Sequence, residues 1–348
     1  MQTHIIKQIE RILSQTDKEE SEILFQLRNL LYEHEIREVT IKDSIPVMDL
    51  FKKQLESFHY KEVPINTLQT GFNGLDEILC GINPGEFIVF GGRPGMGKSQ
   101  FLVNLALNIS TRVPLLYISF DLSESLLTAR FMSCLSNIPV YHILQQTISD
   151  KEHQTLFSIE KELAERKIFI NDNCNNSFTI LREQCLKMIK EQDVKVIIID
   201  YIQLISQFRF RNNREMEISY ISRELKNIAR ENNVCIIAAS QLSRAVETRG
   251  GTRHPILSDL RESGALEQDA DKVLFIYRPE YYRMEIDEDG NSTSGLTEMI
   301  IAKNRNGKLG TARLKVRSNF TAFYDFDNFT ENFTFSENRL DEINSPPF

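Results

Sequence analysis

The chain has 348 residues, 41% hydrophobic and 26% charged, which is enough apolar content to bury a full core as one large domain or two smaller ones. A formal net charge of −8 excludes a protein that coats nucleic acid by bulk positive charge, so nucleic-acid contact must come from a local basic patch. No uninterrupted apolar run approaches a membrane span and the N-terminus alternates polar and apolar residues unlike a signal peptide, so the expectation is a cytoplasmic protein without membrane association.

In chain order, residues 1–45 read as a short helical segment of two amphipathic helices, with Ile5, Ile9, Ile12 and Leu13 on one and Leu24, Leu27, Leu30 and Leu31 on the other. Residues 46–66 read as a linker helix whose stripe of Val47, Leu50, Phe51 and Leu55 requires a partner, with Pro46 and Pro64 near its bounds. Residues 67–327 alternate helices with short apolar runs at Phe87–Phe90, Val113–Ser119, Ile168–Ile170, Val196–Ile199, Val234–Ala239, Val273–Tyr277 and Met299–Ala302. That alternation predicts an α/β domain on a mainly parallel sheet, with Ala312–Val316 and Ala322–Tyr324 adding antiparallel strands at its edge. Residues 328–348 are acidic and close on Pro346-Pro347-Phe348, as expected of a disordered, solvated tail. Cys80, Cys134, Cys174, Cys185 and Cys235 lack C-x-x-C spacing and the six histidines are scattered, which argues for reduced thiols and against disulfides or zinc.

The densest chemical signal is Gly92-Arg93-Pro94-Gly95-Met96-Gly97-Lys98-Ser99, a G-x-x-x-x-G-K-S run between the apolar run at 87–90 and the helical pattern of 100–109. Its glycines let backbone N–H groups converge on phosphate oxygens, at a helix N-terminus that already favours anions. Lys98 neutralises β/γ-phosphate charge, and Ser99 offers a hydroxyl to Mg²⁺, a hard cation that needs few protein ligands. The expected nucleotide-binding set is Gly92, Pro94, Gly95, Met96, Gly97, Lys98, Ser99, Gln100 and Asp200, with Ser99 and Asp200 on the metal and ATP as the nucleotide.

Asp200 ends the run Val196-Ile197-Ile198-Ile199, so its carboxylate lies where ligands of open α/β sheets collect. Gln241 follows the strand ending at Ala239 and either senses the γ-phosphate or orients water, or makes an ordinary loop hydrogen bond. Asp121 follows the strand ending at Ser119 and is the candidate base for the attacking water. Asp121 also fits a helix N-cap with Glu124 closing a capping box, in which case both carboxylates are structural.

Three runs together resemble one family: Asp200-Tyr201-Ile202-Gln203-Leu204, Ser240-Gln241-Leu242-Ser243-Arg244, and Ser258-Asp259-Leu260-Arg261-Glu262-Ser263-Gly264-Ala265-Leu266-Glu267-Gln268-Asp269-Ala270-Asp271. They look like the C-terminal motor of replicative DNA helicases of DnaB type. The resemblance implies a RecA-like P-loop core assembled as a homo-hexameric ring, with ATP at subunit interfaces and single-stranded DNA in a central channel. Arg261, Glu262 and Gly264 match the family's DNA-backbone loop. A second channel loop is expected at Arg209, Arg211 and Arg214, interleaved with Phe208 and Phe210, the alternative being a solvated loop.

Lys303-Asn304-Arg305-Asn306-Gly307 matches the family's K-x-R-N-G, whose Lys303 and Arg305 equivalents reach the γ-phosphate held by the next subunit. The implied function is ATP-driven translocation on single-stranded DNA with strand separation during replication. The alternatives are a regulatory or structural DNA-bound ring that binds ATP without turnover, and a recombinase-type RecA relative. Two departures stand out: Asp121 occurs where the family usually has Glu, and the N-terminal helical region is short. The N-terminal helices and the acidic tail, whose Pro-Phe end resembles the partner-binding tip of bacterial single-stranded-DNA-binding proteins, are the expected sites for a loader or replication partner.

Overall fold

The computed structural model describes residues 9–14, 22–23, 26–27, 30, 44–59, 67–172, 176–207, 210, 213–249, 253–260, 264–286 and 290–326. The tail at 328–348 and most of the two N-terminal helices lie outside these residues; 9–13 are helical. By internal contacts the chain divides into two units, Met1–Pro64 and Ile65–Phe348. The first contains helix α1 (Val47–His59), on which Leu50, Phe51 and Leu55 are exposed.

The second unit is a nine-stranded sheet with helices on both faces. Its strands are β1 (Phe87–Gly92), β2 (Leu115–Ser119), β3 (Ile168–Asn171), β4 (Val196–Asp200), β5 (Cys235–Gln241), β6 (Lys272–Tyr277), β7 (Leu296–Asn304), β8 (Gly310–Val316) and β9 (Phe323–Asp325). The spatial order is β3-β2-β4-β5-β1-β6-β7-β8-β9. The first six run parallel, in registers such as Phe90↔Ala239 and Tyr117↔Ile198. The last three are antiparallel. The reading of Met299–Ala302 as one of the parallel series is therefore corrected: β7 runs against β6, pairing Tyr277 with Glu298 and Lys272 with Asn304.

The central strands are apolar on both faces, as buried parallel strands must be. Ile88, Phe90, Ile198 and Ile237 face one core, packed by α2 (Asn73–Leu79), α3 (Lys98–Ser110) and α4 (Glu124–Ser136). The short α5 (Val140–Gln145) and α6 (Asp150–Ala164) follow α4. Phe87, Val89, Ile197 and Ile236 face the other core, packed by α7 (Phe178–Gln192) and α8 (Arg214–Asn232). Two short helices, α9 (Ala245–Thr248) and α10 (Gly264–Asp269), complete the unit. Cys80, Cys134, Cys185 and Cys235 form no disulfide, and no cluster of potential metal ligands occurs among the described residues. No helix among those residues is long and apolar enough to cross a membrane.

Parallel strands deliver their C-terminal ends to one edge. The segments after β1, β2, β4 and β5 therefore meet there, although they are far apart in sequence.

Candidate active site

At that edge is a cavity of about 490 Å³ lined by Pro94, Gly95, Gly97, Lys98, Ser99, Gln100, Asp121, Leu122, Arg130, Asp200, Tyr201 and Gln241. Gly97 caps α3 at φ +91°, a left-handed backbone that glycine adopts without steric cost. A Cβ at Gly92 would stand 2.6 Å from Ile276 Cγ2 and 3.0 Å from Lys98 Cγ, so a side chain there would push the lysine stem aside. The result is a cradle of backbone N–H groups at a helix N-terminus, shaped for an anion. Met96, also expected in the nucleotide set, is a core residue at 1% exposure; it supports the loop from behind.

Lys98 donates to the carbonyl of Arg93 at 3.1 Å. Burial pulls its pKa down to about 8, a shift that Asp200 and Asp121 oppose and Arg93 reinforces. Arg93 is fixed by a fork onto Glu247 Oε1, at 2.9 and 2.7 Å, and a 2.7 Å bond to the carbonyl of Leu242. The loop is thereby tied to the segment that follows β5.

Asp200 is 1% exposed, and burial raises its carboxyl pKa against the opposing effects of Ser99, Tyr117 and Lys98. The Tyr117 hydroxyl donates to Asp200 Oδ2 at 3.1 Å, and the Ser99 hydroxyl also bonds this carboxylate. A buried carboxylate beside a hydroxyl and a depressed lysine suits a phosphate-bound divalent cation, whose charge would favour the ionised form of Asp200. The Asp200–Tyr201 peptide is cis.

Asp121 is exposed and lines the cavity. It is not the cap of α4: Ser123 is, accepting from Leu126 N–H. Glu124 does not close a box onto it; the backbone N–H of Glu124 donates to the Asp172 carboxylate at 2.7 Å. The capping interpretation of both carboxylates is thus corrected, and Asp121 projects at the cavity without a helix-capping task. The side chain of Gln100 donates to the Thr321 carbonyl at 2.6 Å.

Arg130 and Tyr201 are cavity residues that sequence reasoning missed. Arg130 NH1 reaches Gln100 Oε1 at 3.4 Å, while its buried Nε has no hydrogen-bond partner. Arg130 thus places a guanidinium at the wall of the phosphate cradle, where a charge-assisted bond to an anion suits it. The available signal was its place, six residues or about 9 Å along a helix that begins just after a cavity strand.

Lys303 and Arg305 are not in this cavity. Lys303 donates to the carbonyls of Glu267 and, at 3.2 Å, Gln268, at the end of α10. Arg305 donates to the Gln268 carbonyl at 2.7 Å and to Asp271 Oδ1 at 3.1 Å. Asp271 Oδ2 in turn accepts from Phe87 N–H at 2.8 Å and from Lys226. Arg305 therefore sits at the start of β1, about 17 Å of strand from the phosphate loop at its end, and the Lys303 ammonium is anchored at the end of α10 just ahead of β6.

Gly264 begins α10, whereas Arg209, Arg211, Arg261 and Glu262 lie outside the described residues, as does Phe208. Arg214, expected in a channel loop, opens α8 instead: it pairs with Glu217 and donates to the carbonyls of Gln203 at 2.6 Å and Ile205 at 3.0 Å.

The family model described as the DnaB-like helicase C terminal domain matches residues 67–325. The chain belongs to the DnaB-like helicase family. A protein of Trieres chinensis named "Probable replicative DNA helicase" is 39% identical over 311 residues, covering 88% of this chain and 68% of that protein. Replicative DNA helicase DnaC of Bacillus subtilis is 32% identical over 343 residues, covering 98% of this chain and 70% of the relative. Among solved structures, one described as an ATPase domain superposes with a TM-score of 0.73 at 30% identity, covering 81% of this chain and 99% of that one. A DnaB-like replicative helicase, described with its interactions with primase, gives 0.70 at 28% identity, covering 93% and 75%. The DnaB-like segment includes every residue of the cavity and both cations at the opposite edge.

Proposed function

We propose that this chain is an ATP-hydrolysing DNA helicase of replication that works as a homo-hexameric ring, moving along single-stranded DNA and separating the strands. The observation that carries the ATP chemistry is the convergence on one cavity of the phosphate cradle, Lys98, the Ser99–Asp200 pair, Asp121 and Gln241. Lys98 holds the β/γ-phosphates. Ser99 and Asp200 would hold the Mg²⁺ that accompanies ATP, which supplies charge neutralisation at the phosphate oxygens.

Asp121 takes a proton from the attacking water as the water oxygen bonds the γ-phosphorus and the bond to the β-phosphate oxygen breaks, giving ADP and phosphate. Gln241 orients that water or senses the γ-phosphate, and Arg130 offers a further cation from the same subunit. Lys303 and Arg305, which lie outside their own cavity, serve the γ-phosphate of a neighbouring subunit, which makes hydrolysis depend on assembly. Gly264 with Arg261 and Glu262, and Arg209 with Arg211, face the DNA backbone, as a motor indifferent to sequence requires. The N-terminal helices or the acidic tail receive a loader or replication partner.

The test is steady-state ATP hydrolysis with and without single-stranded DNA, with Lys98→Ala as the control for contaminating activity. Strong DNA stimulation lost in Lys98→Ala supports the motor. The short Asp121 side chain favours a second reading, a ring that binds ATP and DNA without turnover; normal binding of both with no DNA-dependent hydrolysis favours that ring or a helicase that needs a loader.

A further inference from the structure

Gln241 is the last residue of β5, and its two flanks are held differently. On one flank β5 pairs with β1 as far as Gly92↔Gln241. On the other, the pairing with β4 ends at Ile199↔Ala238, so Ala239, Ser240 and Gln241 extend beyond that ladder. In a parallel sheet a residue's N–H and C=O point to the same neighbour, and at Gln241 that neighbouring strand has already turned away. The gap is filled by a side chain. Gln203 sits in the single 3₁₀ turn Ile202–Leu204 that follows β4. Its Oε1 accepts from Gln241 N–H at 3.1 Å, and its Nε2 donates to the Gln241 carbonyl at 3.3 Å and to Ser240 Oγ at 2.9 Å.

We propose that Gln203 is the positioning residue of Gln241: its primary amide stands in for a missing peptide of β4 and fixes the main chain from which the Gln241 side chain enters the nucleotide cavity. Only a primary amide carries both the acceptor and the donors this contact uses. Glutamate keeps the acceptor and sets a carboxylate against a carbonyl; leucine keeps neither. Gln203 does not line the cavity, so its influence on chemistry passes through Gln241. Its own backbone is fixed in turn, because the Arg214 guanidinium holds the Gln203 carbonyl at 2.6 Å while pairing with the buried Glu217. The role rests on Gln241 acting in hydrolysis, and the test separates the two claims.

Hydrolysis by the full-length protein is measured with saturating single-stranded DNA for Gln203→Leu, Gln203→Glu, Gln241→Ala and the double variant Gln203→Leu/Gln241→Ala, each checked by thermal melting and ATP binding. A displaced group costs about 10- to 100-fold in kcat with KM changed by less than about 2-fold, so both Gln203 variants fall by that amount. Because Gln203 acts through Gln241, the double variant matches Gln241→Ala instead of multiplying the two losses. Wild-type kcat in Gln203→Leu and Gln203→Glu beside a slow Gln241→Ala, or a multiplicative double variant, overturns the positioning role. A wild-type rate in Gln241→Ala removes the premise for Gln241 itself. Should Gln203→Leu fold poorly, Gln203→Glu, which conserves shape, decides.

Discussion

Arg305→Ala tests whether the two edges of the sheet belong to one reaction. The Arg305 guanidinium is anchored by Asp271 Oδ1 and the Gln268 carbonyl, and its backbone N–H by the Asp271 carbonyl at 3.0 Å. Asp271 in turn bonds Phe87, the first residue of β1. The phosphate loop begins where β1 ends, five residue steps or about 17 Å away, beyond the reach of an arginine side chain. Truncating Arg305 therefore leaves its own cavity intact, and ATP binding per subunit stays at the wild-type value. Turnover falls by about 10³-fold or more, the scale of an arginine that stabilises transferring phosphoryl charge, equivalent to about 4 kcal/mol of barrier. In an equimolar mixture of Arg305→Ala and Lys98→Ala copies, each inactive alone, about one interface in four joins an intact Lys98 to an intact Arg305; independent interfaces then recover about a quarter of full activity. The assay is DNA-stimulated phosphate release after mixing and reassembly. Wild-type turnover by Arg305→Ala, or loss of its ATP binding, would refute the assignment of this residue to a neighbour's phosphate.

Lys98 makes nucleotide binding proton-linked. Burial sets its pKa at about 8, below the ordinary 10.5, so between these values the unfolded chain binds a proton that the folded, nucleotide-free protein lacks. The charged lysine thus opposes folding below about pH 8, and that cost fades as pH rises toward 10.5. A triphosphate reverses the balance by favouring the charged form, so affinity declines above about pH 8 and binding takes up protons there; calorimetry at about pH 9 in buffers of different ionisation enthalpy checks this, and equal heats would contradict it. Asp121→Glu, one methylene longer, is expected to raise kcat, whereas Asp121→Asn lowers it by about 10²- to 10⁴-fold with ATP binding retained; an Asn variant at the wild-type rate removes Asp121 from proton transfer.

The apolar runs marked every strand to within a few residues, because the central parallel strands, covered on both faces, are apolar on both, and the antiparallel strand β8 alternates buried with more exposed residues. The phosphate loop and Asp200 were legible for a related reason: a glycine run and a terminal carboxylate are local signals whose chemistry does not depend on distant contacts. Arg130 and Gln203 were not legible in their roles. An arginine in a helix and a glutamine in a loop have many ordinary uses, and only the fold brings Arg130 to the cavity and Gln203 to the open flank of Gln241. Arg214 shows the converse, since a basic, aromatic-interleaved sequence suggested a channel loop while its guanidinium is spent on the carbonyls of Gln203 and Ile205.

Strand direction was the least legible feature and has the largest consequence for function. Periodicity reports which residues are buried and carries no information on polarity, so Met299–Ala302 read the same either way. Were β7 parallel to β6, Lys303 and Arg305 would emerge at the C-terminal edge of the sheet, beside the phosphate loop of their own subunit. Running antiparallel, with Asn304 opposite Lys272, β7 carries both cations to the other edge, where α10 and Asp271 hold them. The same reversal leaves the cavity with Lys98 and Arg130 as its own cations and reserves the remaining two for an outward-facing position. A subunit built this way has a phosphate cradle on one edge and, on the other, the two cations proposed to serve a neighbour's phosphate. Two such edges satisfy each other only between copies arranged head to tail, and head-to-tail contacts close into rings when the rotation between copies permits. If Lys303 and Arg305 act on a neighbour's γ-phosphate as proposed, the dependence of hydrolysis on assembly follows from the direction of a single strand.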